Sequence, residues 1–71
     1  KNRAQAEARR RAVRLAEVED RITALEARLA ELGDALAAPP ADPDELRRLG
    51  EAYTAADSEL NALLEEWEQL Q

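Results

Sequence analysis

Arginine supplies most of the chemistry this chain can offer. Arg3, Arg9, Arg10, Arg11 and Arg14 crowd the first fourteen residues together with Lys1, and Arg21 and Arg28 follow at seven-residue spacing. A helix turns by about 100° per residue, so Arg3, Arg10 and Arg14 share one side, and Arg14, Arg21 and Arg28 stand in a column. Guanidinium groups suit phosphates because they are permanently charged and present planar forks of donors. A row of them follows a nucleic-acid backbone without reading bases, which gives sequence-tolerant, salt-sensitive binding. Lys1, Arg3, Arg9, Arg10, Arg11, Arg14, Arg21 and Arg28 are therefore the candidate nucleic-acid-binding residues. No aromatic side chain flanks them to stack on single-stranded bases.

Other chemistry is excluded more firmly. The chain has no Cys and no His, which removes disulfides, zinc fingers, thiol reactions and imidazole catalysis together. No glycine loop could cradle a phosphate, and no nucleophile stands beside a base. The sixteen acids are spread along the sequence with nothing to bury them or shift their pKa. No catalytic, metal or cofactor residue is assigned, and the fragment is expected not to be an enzyme.

The charge balance sharpens the arginine reading. The net charge is −6, yet residues 1–14 carry +5 and residues 15–71 carry −11. A basic end on an acidic body is one anion-seeking terminus on a rod. The acidic remainder reads as a solvated face that would repel a long duplex, which keeps a second function class open. That alternative is a protein-interaction or spacer coiled coil with no affinity for nucleic acid.

The elements that must position the arginines are legible from periodicity. Leu46, Leu49, Tyr53, Ala56, Leu60, Leu63, Trp67 and Leu70 step by 3 and 4 without a break, and so do Leu15, Val18, Ile22, Leu25, Leu29, Leu32 and Leu36. Neither seam can hide from water alone, so each needs the other. Between them stands Ala38-Pro39-Pro40-Ala41-Asp42-Pro43, which cannot be helical throughout. The fold class is all-α, a two-helix antiparallel coiled-coil hairpin. Residues 1–14 read as a basic helical extension of about 20 Å, and 15–71 as the hairpin. The hairpin divides into a helix over about 15–37, a turn over 38–43 and a helix over about 43–70. Asp42-Pro43-Asp44-Glu45 places a carboxylate at the N-cap, proline at N1 and a capping-box glutamate at N3.

Register follows from setting each seam's a positions against the other's d positions. Leu15 then meets Leu70, Val18 meets Trp67, Ile22 meets Leu63 and Leu25 meets Leu60. The same alignment puts Arg28 near Glu59, Arg21 near Glu66 and Gly33 opposite Gly50. A slip of one heptad would set Arg11 against Trp67. Trp67 and Tyr53, both on the seam, are expected to pack in the core. Trp67 lies near the open end, where its indole N–H would seek an acceptor. A monomer is expected, although a helix-swapped dimer would use the same seam. No apolar run approaches the length of a membrane span and no signal peptide is visible, so a cytoplasmic piece of a longer protein is expected.

The run Leu15–Ile22–Leu25–Glu26–Leu29–Leu32–Leu36, a short turn with Asp42-Pro43, and Leu46–Leu49–Leu60–Leu63 closing on Glu66-Trp67-Glu68-Gln69-Leu70 resembles the C-terminal coiled-coil domain of Uup-type ABC-F ATPases. The tryptophan followed by Glu in the last turn is the most specific element. That resemblance implies a hairpin following a second ATPase domain and binding DNA, in a parent linked to ribosome function or DNA transactions. ATP and Mg²⁺ would belong to the parent, whose ATPase domains would be partners alongside DNA or, failing that, ribosomal RNA or tRNA. Two features depart from the family pattern. The extension here is Arg- and Ala-rich without the usual aromatic, and Pro39-Pro40 stands at the tip. A coiled-coil arm of a tRNA synthetase would use similar charges, but the Trp-Glu ending fits the ABC-F pattern better.

Overall fold

The computed structural model describes residues 2–71, and Lys1 lies outside the described residues. Two helices carry the chain: α1 spans Asn2–Ala37 and α2 spans Pro43–Leu70. They pack against each other along their length in an elongated hairpin of 61 × 14 × 14 Å.

Local chemistry explains where each helix stops. In the last turn of α1 the Ala38 amide still reaches the Asp34 carbonyl, at 3.4 Å. Pro39 then has no N–H to offer and pushes Ala38 out of the helical region, and Pro40 repeats the block. The chain re-enters helix at Asp42, whose extended backbone and side chain form the N-cap. Its Oδ1 accepts from the Asp44 amide at 3.1 Å, and its carbonyl accepts from Leu46 at 3.0 Å. Pro43 occupies N1, where its missing N–H costs nothing. Glu45 returns no hydrogen bond to the cap among the described residues, so the capping box is half made. Asp44 instead pairs with Arg47 at 3.2 Å.

The core is a single row. Val18, Leu25 and Leu32, spaced seven residues apart on α1, are buried, and Ala56 is the one buried residue of α2. Leu29, Leu49, Ala52, Leu60 and Leu63 close around Leu25, Leu32 and Ala56. The small Ala56 lets α2 come close, so the leucines of α1 fill the space between the axes. Burial fades at the hairpin tip, where Leu46 is exposed. Tyr53 also departs from the expected core position, remaining 39% exposed. Its ring lies beside Gly33, where a Cβ would sit 4.0 Å from Tyr53 Cε2 in ordinary contact. A Cβ built on Gly50 would meet nothing within 4 Å, so no close approach accounts for that glycine.

Truncating this row is expected to damage the whole molecule, because a 71-residue hairpin has no second core to fall back on. Leu25→Ala or Leu32→Ala should each lower unfolding free energy by about 2–5 kcal/mol. Val13→Ala, at a position 61% exposed, should stay within about 0.5 kcal/mol. Urea unfolding followed by circular dichroism reads both, and equal small losses at all three sites would contradict the packing described.

Candidate nucleic-acid interface

The basic end is the N-terminal stretch of α1, Asn2 to Arg14. Residues 2–14 are built from Ala, Arg, Glu and Gln, which favour helix, but they include no leucine or isoleucine for a seam. Their heptad positions read Ala4, Ala8 and Arg11. The helix nevertheless continues to Asn2, because α1 is one rod whose other half is locked to α2. With 36 residues against 28, α1 exceeds α2 by about 12 Å at 1.5 Å per residue. At the inner end of this stretch, Glu66 of α2 reaches Arg14.

Along this overhang the arginines divide into two groups. Arg9, Arg10 and Arg11 are exposed and make no ion pair among the described residues. As consecutive residues they fan over about 200° of the helix circumference. Arg3 is solvated as well, held only loosely by Glu7 at 3.6 Å. No acid lies in the first turn of α1, so the positive end of the helix dipole adds to the same field.

Arg14 and Arg21 are engaged. Arg14 Nε and Nη2 donate to both carboxylate oxygens of Glu66, at 2.6 and 2.8 Å, and Glu17 stands 4.0 Å away. Arg21 grips Glu59 in the same fork, at 2.7 and 2.8 Å. Arg28, the third of the column, is exposed and pairs with no carboxylate among the described residues. The expected partners were Arg21 with Glu66 and Arg28 with Glu59, so both pairs have moved one heptad towards the start of α1. Charges repeating every seven residues permit either choice. The apolar alignment is not displaced with them, since Trp67 still stands beside Val18 and Glu19.

The opposite flank holds what sequence reasoning left unassigned. Trp67 is half-buried, and its Nε1 donates to Glu19 Oε2 at 3.1 Å. The indole thus found its acceptor within the hairpin, next to Val18, the residue expected to face it. A glutamate beside the seam was the available signal. Leu64, Ile22 and Thr23 line a shallow open groove around this contact. Among the described residues no cluster of acidic side chains is placed to hold a metal ion. Among the described residues no helix is long and apolar enough to cross a membrane.

A family model, the ABC transporter C-terminal domain, matches residues 6–71. The chain belongs to that family. The match takes in Arg9, Arg10 and Arg11 as well as the paired helices, so this C-terminal domain includes most of its basic overhang. The family is an accessory domain rather than a catalytic one. Comparison with curated proteins and with solved structures gives no match.

The forked pairs give the domain an acid response. Hydrogen bonds from Arg21 and Arg14 hold the carboxyls of Glu59 and Glu66 below their ordinary value of 4.5, against partial desolvation and with help from the positive charge. The same bonds raise the two arginines further above neutrality. A carboxyl depressed in the folded state contributes stability above its unfolded pKa and loses it as pH falls through the folded value. The contribution should therefore be complete above about pH 4.5 and fade below it. Melting temperature measured against pH should drop less steeply there for Glu59→Gln/Glu66→Gln than for the parent chain. Identical acid limbs would show that the pairs contribute nothing.

Proposed function

We propose that this domain is the C-terminal hairpin of a Uup-type ABC-F ATPase and holds its parent on a polyanion, DNA foremost. The observation that carries the reading is the exposed, unpaired triplet Arg9-Arg10-Arg11 on a helix that outruns its partner. A lone helix is slim enough to approach a duplex closely, while the acidic paired body stays at a distance. Fanned arginines then meet phosphates on both sides of the helix, and binding is driven by release of condensed counterions. Arg3 extends the same surface towards the N-terminus, and Lys1 adds a positive charge to the sequence at that end.

Arg14, Arg21 and Arg28 take lesser parts. Arg14 and Arg21 would have to leave Glu66 and Glu59 to reach phosphate, which costs them much of what they would gain. Arg28 is available but stands amid the acidic body. Ribosomal RNA or tRNA offers the same phosphates, so a ribosome-associated role in the cytoplasm uses the same surface. In the parent, ATP and Mg²⁺ would be bound and hydrolysed in the preceding domains, with the hairpin contributing placement alone. The −11 charge of residues 15–71 favours a second reading, in which the acidic body meets a basic protein and the hairpin is an interaction arm.

Salt titration separates these readings. Binding of the chain to duplex DNA, single-stranded DNA and RNA, followed by fluorescence anisotropy, should fall steeply with salt. For the duplex, Arg9→Ala/Arg10→Ala/Arg11→Ala should reduce the slope of log K against log salt by about 3, near 0.9 per phosphate contact. Arg14→Gln/Arg21→Gln should change it by less than 1. An unchanged slope in the triple variant would remove the assignment, and no binding at low salt would favour the interaction arm.

A further inference from the structure

The polar contacts joining the two helices share a property that the ion pairs alone do not reveal. Each has a ready replacement one heptad further along α1. Glu66 is gripped by Arg14, and Arg21 stands seven residues on; Glu59 is gripped by Arg21, and Arg28 stands seven residues on. Trp67 Nε1 donates to Glu19, and seven residues on stands Glu26, exposed and hydrogen-bonded to nothing among the described residues. A slide of one heptad, about 10 Å, would therefore re-form both arginine forks and the indole bond with the same α2 residues. The apolar seams repeat at the same interval, so apolar residues would again meet along the remaining overlap.

A slide needs slack at the tip, and α2 contains it. If α1 still ended at Ala37, the first seven residues of α2, Pro43 to Leu49, would pass into the turn, and Gly50 would be the N-cap of a shortened α2 beginning at Glu51. That glycine is one heptad from Pro43, and nothing within 4 Å of its Cβ position explains it. Glycine costs helix stability in the interior but is tolerated at an N-cap. Glu51 would follow it in the first turn, where an acid favours the helix dipole. The released segment has little packing to lose: residues 43–48 are all exposed, Leu46 included, and only Leu49 is partly covered.

We infer that the hairpin has two registers one heptad apart. The one described is the major state, and the second lengthens the tip loop while drawing α2 back from the open end. In the second register Arg28 is paired, and Arg14 and Leu15 are released onto a longer overhang. Tip and open end are thereby coupled, so that anything holding the longer loop extends the arginine-bearing rod. The inference concerns the fold alone and stands whether or not the overhang binds a polyanion.

The absence of cysteine makes the test direct. Spin labels on Ala8→Cys and Glu68→Cys, both exposed, lie on opposite helices near the open end. Pulsed electron resonance on the 71-residue chain should give one major distance and a minor one roughly 10 Å longer. Arg14→Glu sets two acids together in the first register only, since in the second that position lies beyond Gln71; it should enlarge the longer-distance population several-fold. Arg28→Glu repels Glu59 in the second register only and should abolish it, and Gly50→Ala should diminish it. Should Arg14→Glu unfold, as judged by circular dichroism, Arg14→Gln serves in its place. A single unchanged distance in the parent, the Arg14 variant and Arg28→Glu would overturn the two-register hairpin.

Discussion

Mutual burial of two apolar stripes is the constraint on which the rest depends. Neither helix could keep Val18, Leu25, Leu32 or Ala56 from water alone, and isolated helices are marginal even with good propensity. Pairing solves the problem for both, and the solution is one row deep. Because the core is so thin, everything else in the molecule acts at its edges. The arginine forks and the Trp67–Glu19 bond lie along the flanks, and the prolines lie at the end. The flanking pairs are exposed and individually weak. Their part is to select among alignments that leucine alone would accept.

The same constraint produces the overhang. A helix of 36 residues paired with one of 28 leaves an end with no seam, and that end is where the positive charge collects. Inside the paired region an arginine finds a carboxylate across the interface, as Arg14 and Arg21 do. Nearer the start of α1, Arg9, Arg10 and Arg11 are exposed and meet no carboxylate among the described residues, so they keep their charge for solvent or a ligand.

The hairpin itself was legible because its causes are local or periodic. The seams at 3 and 4 spacing, the Pro39-Pro40 stop and the Asp42-Pro43 start each act over a few residues and conflict with nothing else. The Trp-Glu ending likewise pointed to the family that the chain belongs to. The flanking charges were a different matter. Arg14, Arg21, Glu59 and Glu66 repeat at the period of the seam, so charge matching alone leaves two sets of pairs equal. Tyr53 and Gly50 were misread for a related reason. Heptad position gives the direction a side chain faces, but how far it is covered depends on what stands opposite, and that depends on register.

Shape in solution tests the foundation of the account most directly. A hairpin has a Cα radius of gyration of 17.0 Å, whereas one continuous helix of the same chain would be about 106 Å long, with a radius of gyration near 30 Å. Small-angle X-ray scattering over a dilution series should extrapolate to a value close to that of the hairpin, with the mass of one chain. A radius near 30 Å, or a mass of two chains persisting at every dilution, would mean that the leucine rows find their shelter elsewhere.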